Sequence, residues 1–346
     1  MHSVSQTSWR SIVSRTSRAI ATGASLLRRA SQLALAGLLA ACVDRPSPSS
    51  PPLARAKSPD SPASIFIPGL VPKQIAFGAH TVDAGLQVFR VNPDGSGLVQ
   101  VSDWMDSSMP TWAPGRTRIA FSRMIAGTRM VRVMSVDGTL ITQLGEGYYP
   151  RWSPDSTRIA FQRHPNGGPP QVFVMNANGS GVQQLTSHPN GALLASWSPD
   201  SKKIAFAAAP EDAGSAGELE IWVMNDNGSN QHQVTSCTAN DIKCSAPDWH
   251  PVAGDNRLVY SVSPFGSSMS QIRTIRANGT DETVLRSVPG FTPTKFPVWS
   301  PDGTRVAYLD KSPHAAEPDI YVINEDGGGL KRVTYMPSQA KSGIDW

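Results

Sequence analysis

The stretch RWSPDSTRIAF, Arg151–Phe161, decides the fold of this chain because it reads as a strand, a tight turn and a second strand. Trp152 ends an extended run, and Ser153-Pro154-Asp155 is typical of a type I turn, in which proline presets the backbone of the second position. Arg158–Phe161 then resumes an apolar strand. A single hairpin is marginally stable in water and cannot bury its tryptophan, so this unit predicts further copies of itself.

Copies of the unit recur along the chain. Successive tryptophans of the motif lie 40, 45, 52, 50 and 47 residues apart. A period of about 40 to 50 residues made of strands is typical of four-stranded propeller blades. The other copies begin at Trp112-Ala113-Pro114-Gly115, Trp197-Ser198-Pro199-Asp200, Trp249-His250-Pro251, Trp299-Ser300-Pro301-Asp302 and, at the end of the sequence, Trp346.

A second signal recurs once in each period, between two apolar runs. Asp-Gly and Asn-Gly pairs favour tight hairpins because both residues tolerate positive φ. The six pairs are Asp94-Gly95, Asp137-Gly138, Asn178-Gly179, Asn227-Gly228, Asn278-Gly279 and Asp326-Gly327. The sequence therefore predicts an all-β, six-bladed β-propeller.

The two ends of the repeat region complete each other. Ile75–Phe77 matches a second strand but has no tryptophan strand before it, and Ser342–Trp346 matches a first strand. We expect this C-terminal strand to join the N-terminal blade and close the ring, which removes open sheet edges.

The first 41 residues are typical of an export signal. They contain five arginines and no acidic residue, and the apolar stretch Leu33–Ala41 is too short to span a membrane as a mature helix. The segment ends Leu39-Ala40-Ala41-Cys42, which resembles the lipobox of bacterial lipoproteins and implies cleavage before Cys42 and a lipid on that cysteine. An ordinary signal peptide and an organelle transit peptide are the alternatives.

Residues 42–72 are rich in proline, serine and alanine. This composition predicts a disordered tether ahead of a domain at residues 73–346. The whole chain carries 31 basic and 27 acidic residues, and removal of the five arginines in residues 1–41 leaves 26 minus 27, a net charge of −1. We therefore expect no nucleic acid partner.

The tryptophan turns, the apolar strands after them and the Asn/Asp-Gly turns resemble the WD40-like repeats of the TolB family. The resemblance covers residues 73–346 and implies the propeller fold, with an envelope protein or a peptidoglycan-associated protein as partner. The sequence departs from the family pattern at Trp112-Ala113-Pro114-Gly115 and at Trp249-His250-Pro251-Val252. It also has a tether where TolB has an additional α/β domain. Val43 after Cys42 resembles the enterobacterial signal for the outer membrane, so we expect an anchor there, facing the periplasm.

The tight turns should share one face of the propeller, which we call the tight-turn face. The loops that join the second strand to the third, and the fourth strand to the first strand of the next blade, should share the opposite, variable face. Binding residues concentrate on loops carried by a rigid scaffold. We therefore predict the partner on the variable face. Its candidate contacts are Trp104, Met105 and Met109, which we expect in a loop of that face.

Four histidines, His80, His164, His188 and His314, fall in the predicted loops of the variable face. A ring of imidazoles there would suit a metal or a small ligand, but the spacings match no local metal signature. Exposed histidines without a ligand are the alternative. We expect no cofactor, with a structural calcium ion in the channel as the alternative.

Cys237 and Cys244 are close in sequence, and an exported protein meets an oxidising compartment. We predict that they form a disulfide in the long loop before Trp249, with free thiols as the alternative.

The sequence contains no nucleophile elbow, phosphate loop or dinucleotide fingerprint. The first hypothesis is therefore a monomeric, non-enzymatic, lipid-anchored binding protein of the bacterial envelope. The alternative is a carbohydrate-active lyase or hydrolase that uses the mouth of the propeller.

Overall fold

The computed structural model describes residues 54–55, 73–81, 85–103, 106–210, 218–237, 242–264, 269–289, 295–311, 317–336 and 341–346. Apart from one two-residue strand before the repeats, the described strands form six small antiparallel sheets in a ring, which is the predicted six-bladed propeller. The first strand of each blade contacts the first strands of both neighbouring blades. These six strands therefore surround a central channel.

Strands are numbered in chain order, and within each blade they run from the first strand, at the channel, to the fourth. Blade 1 contains β25 (Lys341–Asp345), β2 (Ile75–Thr81), β3 (Gly85–Val91) and β4 (Val99–Gln100). Blade 2 contains β5 (Ser107–Trp112), β6 (Arg118–Ile125), β7 (Thr128–Ser135) and β8 (Thr142–Glu146). Blade 3 contains β9 (Tyr148–Trp152), β10 (Arg158–Arg163), β11 (Gln171–Asn176) and β12 (Gln183–Gln184).

The remaining three blades follow the same order. Blade 4 contains β13 (Ala192–Trp197), β14 (Lys203–Ala208), β15 (Glu220–Asn225) and β16 (His232–Gln233). Blade 5 contains β17 (Ile242–Trp249), β18 (Arg257–Pro264), β19 (Met269–Arg276) and β20 (Thr283–Pro289). Blade 6 contains β21 (Lys295–Trp299), β22 (Arg305–Asp310), β23 (Asp319–Asn324) and β24 (Lys331–Arg332).

The predicted serine-proline-aspartate turn of blade 3 forms through local hydrogen bonds. The Ser156 N–H donates to the Ser153 carbonyl at 2.9 Å, and the Ser153 N–H donates to the Arg158 carbonyl at 2.9 Å. The Asp155 carboxylate accepts the Thr157 N–H at 2.9 Å. The turn is therefore closed by its own side chains and backbone, as the sequence pattern indicates.

The core consists of apolar layers between adjacent blades. Each blade contributes its motif tryptophan, which is 3–6% exposed, and one aromatic ring of the second strand, which is at most 1% exposed. Aromatic rings bury large apolar areas, so this pair stabilises each contact between blades. The second-strand rings are Phe77, Phe121, Phe161, Phe206, Tyr260 and Tyr308.

The hairpin glycines allow neighbouring blades to approach each other closely. Gly138 has φ of +80°, and a Cβ atom there would lie 2.2 Å from the Val101 carbonyl oxygen of blade 1. A Cβ atom at Gly179 would lie 2.8 Å from the Leu144 carbonyl oxygen of blade 2. Glycine is therefore required for two reasons. The backbone has a positive φ, and the neighbouring blade leaves no room for a Cβ atom.

Arginine side chains of one blade cover tryptophans of the next on the tight-turn face. The guanidinium carbon of Arg158 lies 4.7 Å from the centre of the Trp197 ring, and that of Arg305 lies 4.8 Å from the centre of the Trp346 ring. Contacts of this kind contribute about 0.5–1 kcal/mol each at partly exposed sites. They add a polar cover to the apolar contacts between blades.

The C-terminal strand closes the ring as predicted. It pairs antiparallel with β2, so that Ile344 lies opposite Phe77 and Lys341 lies opposite Ala79. The Trp346 indole N–H donates to the Lys73 carbonyl at 2.5 Å. Blade 1 thus takes one strand from the C-terminus and three from the start of the propeller.

The short strand β1 (Ala54–Arg55) pairs in parallel with β4, with Ala54 opposite Val99. The sequence predicted no strand in residues 42–72. The rest of the predicted tether and the predicted signal segment, including Cys42, lie outside the described residues. Within the described ranges the only helical element is the 3-10 turn Pro165–Gly167. The described residues therefore contain no helix that is long enough to cross a bilayer.

Candidate functional site

Each first strand carries the same irregularity where it lines the channel. One residue per blade has φ between +52° and +58°, and the pairing with the second strand shifts next to it. Five of the six are not glycine, and a non-glycine residue in this conformation costs about 1–3 kcal/mol. The six residues, called the apolar layer, are Met109, Tyr149, Leu194, Ala246, Phe296 and Gly343.

The apolar layer narrows the channel. Tyr149 and Phe296 belong to opposite blades, yet their ring centres are 6.0 Å apart. Gly343 leaves room for Met109, since a Cβ atom on that glycine would lie 2.5 Å from the methionine Sδ. Residues of all six first strands line a small cavity of the channel that is partly open to solvent. The channel is therefore crossed by side chains partway along its length.

A second set of side chains lies two residues further along each first strand, nearer the tight-turn face. This set, called the charged layer, consists of the residue immediately before each motif tryptophan. It contains one arginine and two aspartates among smaller side chains. Its members in blades 1 to 6 are Asp345, Thr111, Arg151, Ser196, Asp248 and Val298.

Within the charged layer, Arg151 forms an ion pair with Asp345 across the intervening blade 2. The Asp345 carboxylate also accepts the Trp112 N–H of blade 2 at 2.7 Å. The side chains of Arg151 and Asp345 keep 22% and 16% of their surface exposed. This pair therefore connects three consecutive blades in a place that solvent still reaches.

Asp248 has different partners. Its carboxylate accepts the Trp299 N–H of blade 6 at 2.9 Å and the Ser196 hydroxyl of blade 4 at 3.0 Å. Burial raises the pKa of Asp248 to about 6, although the Arg151 charge and the Trp299 N–H act in the opposite direction and Asp345 reinforces the rise. Among the described residues, no basic side chain forms an ion pair with Asp248.

An aromatic patch lies on the variable face at the ends of blades 2 and 3. The Tyr148 hydroxyl and His164 Nε2 are 2.8 Å apart, and the two rings stack with centres 5.5 Å apart. The exposed Arg129 places its guanidinium carbon 5.7 Å from the Tyr148 ring centre. Tyr148 also contacts Tyr149 of the apolar layer at 5.7 Å between ring centres. We call Arg129, Tyr148 and His164 the aromatic patch.

The predicted histidine set does not come together in the described part of the chain. His80 lies in β2 rather than in a loop, and it is exposed. His188 is buried between Phe206 and Trp222 and pairs with Gln231 at 3.0 Å. Within the described residues no histidine belongs to a group of three potential metal ligands. His314 lies outside the described residues, and the metal site stays a prediction.

Of the three predicted contact residues, Met109 is the one that the structure describes. Met109 lies in β5 and lines the channel, so its placement in a loop of the variable face was wrong. The serines and Pro110 around it masked the strand. Proline fits there because the first strand of a blade has one unpaired edge facing the channel. Trp104 and Met105 lie outside the described residues, and their role as partner contacts stays a prediction.

Cys237 and Cys244 are joined in a disulfide, and their Cα atoms are 6.0 Å apart. Cys244 is part of β17 rather than of the loop before Trp249. Both cysteines are buried next to the Glu220 carboxylate, which accepts the Cys237 N–H at 2.8 Å. Cys42, the predicted lipidation site, lies outside the described residues.

The charged residues of the channel were missed by the sequence analysis. Arg151, Asp248 and Asp345 stand directly before motif tryptophans, where the repeat pattern indicates an extended strand and no particular role. The signal was available, because alignment of the six repeats shows that this position varies between charged, hydroxyl and apolar residues beside an unvarying tryptophan. Variation at one place in a regular repeat would have marked them.

No protein-family model matches the sequence, and no curated protein matches it either. Solved structures match by shape. TolB from Acinetobacter baumannii has a TM-score of 0.66 at 18% identity, over 79% of this chain and 66% of that one. The chain thus spans just under two thirds of that TolB.

Two further structures match. Putative TolB from Agrobacterium tumefaciens has a TM-score of 0.59 at 14% identity, over 78% of this chain and 97% of that one. An oligogalacturonate lyase in complex with manganese has a TM-score of 0.53 at 16% identity, over 76% of this chain and 74% of that one. These likenesses show that this chain has the six-bladed fold found in TolB-like propellers.

Proposed function

We propose that this protein is a non-enzymatic binding module of the bacterial envelope. Its propeller captures an envelope protein or a peptidoglycan-associated protein, and no cofactor takes part. The observation that carries the proposal is the aromatic patch, in which Arg129, Tyr148 and His164 share the variable face with the channel mouth. The likeness to TolB structures supports the choice of an envelope partner.

The chemistry of the patch suits a protein partner. Tyrosine and arginine are enriched among the residues that contribute most to protein interfaces, because they offer a large rigid surface with a polar end. The Tyr148–His164 hydrogen bond and the His164 Nδ1 contact to the Gly168 carbonyl at 2.8 Å hold both rings in place. Little side-chain freedom remains to be lost on binding, which favours affinity.

The proposed location follows from the predicted N-terminal features. A lipid on Cys42 would anchor the chain to the outer membrane, facing the periplasm. Residues 43–53, which precede the strand paired with β4, would let a monomeric propeller reach beyond the bilayer surface. Fractionation of cells that express wild-type protein and Cys42→Ala tests the anchor. We expect wild-type protein in the outer membrane fraction and the variant in the soluble periplasmic fraction.

Capture from cross-linked envelope extracts tests the binding function. Wild-type protein should recover a reproducible partner, and Tyr148→Ala and His164→Ala should each lower its recovery at least fivefold. The control is Leu140→Ser, since Leu140 is 85% exposed beside a hairpin turn of the tight-turn face. Equal recovery by wild type and both aromatic variants would exclude this surface.

The alternative function is a carbohydrate-active lyase, which the likeness to the manganese-bound oligogalacturonate lyase favours. Metal analysis of the purified protein separates the two functions. We expect less than 0.1 transition-metal ion per chain. One bound ion per chain that is lost in both His164→Ala and His188→Ala would favour the lyase over the binding module.

A further inference from the structure

The charged layer of the channel has an unbalanced charge. It contains one guanidinium and two carboxylates, so its net charge is −1 when both aspartates are ionised. Arg151 already forms an ion pair with Asp345. Asp248 is left with the Trp299 N–H and the Ser196 hydroxyl, which are neutral donors.

Asp248 retains capacity for a further partner. Its two carboxylate oxygens accept one described hydrogen bond each, whereas an ionised carboxylate offers about four acceptor positions. Hydrogen bonds between a carboxylate and a cationic donor are about twice as strong as neutral ones. A cation beside Asp248 would therefore relieve the cost of keeping this charge in a partly buried place.

The position of the apolar layer decides the side from which such a cation enters. Tyr149 and Phe296 meet across the channel between the charged layer and the variable face. Since the charged layer lies on the other side of these two rings, next to the motif tryptophans, the arrangement favours entry from the tight-turn face over entry past the rings. This is the face opposite the aromatic patch.

The donor set favours an organic cation over a metal ion. Calcium takes six to eight oxygen ligands, and Asp345 is already bound by Arg151 and the Trp112 N–H. The Arg151 charge beside the site also repels a divalent ion more than a monovalent one. A guanidinium or ammonium group can instead donate several hydrogen bonds to the carboxylate oxygens of Asp248.

We propose that the charged layer is a recognition site for one guanidinium or ammonium group, supplied by a basic side chain or the amino terminus of a protein that approaches the tight-turn face. Asp248 accepts the cation, and the Arg151–Asp345 pair sets the width and charge of the site. This site is separate from the aromatic patch, so it goes beyond the proposed function and does not depend on it.

The probe for the test is argininamide with its α-amino group acetylated, called argininamide below. Its matched control is citrullinamide acetylated in the same way, which has nearly the same shape and carries no charge. The readout is the backbone amide signal of Trp299 in two-dimensional NMR, because this N–H donates to Asp248. We expect saturable movement of that signal with argininamide at millimolar concentration. Citrullinamide should bind at least tenfold more weakly.

The pH dependence follows from the groups that face Asp248. The charged or titratable ones among the described residues are Arg151 on β9 and Asp345 on β25, while β13 and β21 present only Ser196 and the Trp299 N–H. Argininamide binding should weaken as the pH falls from 7.5 to 5, because Asp248 is then protonated. Binding that is unchanged across this range would count against Asp248.

The variant Asp248→Asn keeps an acceptor for the Trp299 N–H and removes the charge. We expect at least tenfold weaker argininamide binding, with Asp281→Asn on the exposed surface unchanged. Equal binding by wild type and Asp248→Asn would overturn the proposal. Equal binding of the two amides would also overturn it, as would a calcium titration that moves the same signal when argininamide does not. The two-amide comparison uses wild-type protein, so it stands if the variant fails to fold.

Discussion

Removal of the buried Lys341 ammonium tests how the closing strand is held. Lys341 opens β25, and its Nζ donates to Asp319 Oδ1 of blade 6 at 2.8 Å. It also donates to the Pro318 carbonyl at 2.8 Å and the Met336 carbonyl at 3.2 Å. The two charged side chains are 0% and 1% exposed. The perturbation is Lys341→Met, which keeps the length of the side chain and removes its charge.

The expected loss can be worked from these contacts. Removal of one partner from a buried ion pair costs about 3–5 kcal/mol, because a buried charge is left behind. Asp319 keeps Arg332 and the Thr334 hydroxyl, which donates at 2.8 Å. We therefore expect the lower end, about 3 kcal/mol, which is roughly a 150-fold change in the unfolding equilibrium.

The pH dependence gives the prediction a second test. Burial by itself raises the pKa of Asp319, but donation from Lys341, Thr334 and Arg332 outweighs burial and holds it below its usual value. The contribution of Asp319 is therefore present above its unfolded pKa and is lost as the pH falls through the folded one. The difference between wild type and Lys341→Met should shrink accordingly as the solution is acidified.

The assay is urea unfolding at pH 7.5, followed by tryptophan fluorescence and circular dichroism, whose transitions must coincide for the free energies to be comparable. Lys295→Met is the control, because Lys295 opens the first strand of blade 6 and is exposed. We expect it to change the free energy by at most about 0.5 kcal/mol. A loss below about 1 kcal/mol in Lys341→Met would refute the assigned role of the buried pair.

Three further changes have expected outcomes, and Gly127→Ala serves as the control for the second of them. Asp248→Asn should stabilise the protein at pH 7.5 by up to about 3 kcal/mol, since a rise in pKa from 3.8 to about 6 penalises the ionised form above pH 6. An equal gain at pH 3.5 would contradict this cause. Gly138→Ala should cost about 2–4 kcal/mol, from positive φ and a collision with the preceding blade. Gly127→Ala, with φ of +82° and open space around it, should cost about 1 kcal/mol. Replacing Cys237 and Cys244 by serine should cost about 2.5 kcal/mol on the chain-entropy model, measured by urea unfolding. An unchanged midpoint would show that the disulfide contributes little.

Much of the candidate site lay beyond reach of the sequence analysis. The placement of Met109 illustrates why, since serine and proline neighbours gave no strand alternation around it. Proline is tolerated in the strand of Met109 because one edge of this strand is unpaired and faces the channel. Which edge is unpaired depends on the position of the strand in the ring. The histidines illustrate the same limit, because His188 shares a loop-like sequence context with His164 but is enclosed by Phe206 and Trp222 of the next blade.

The sequence by itself determined the blades, their number and the closing strand. Turn chemistry is local, since Ser153, Asp155 and the hairpin glycines act within a few residues, and six copies in phase made the pattern unambiguous. The tertiary structure alone decided which side chains meet in the channel. Arg151 and Asp345 are 194 positions apart, and only the closed ring turns both toward one axis, where the charge of Asp248 is left without a basic partner among the described side chains.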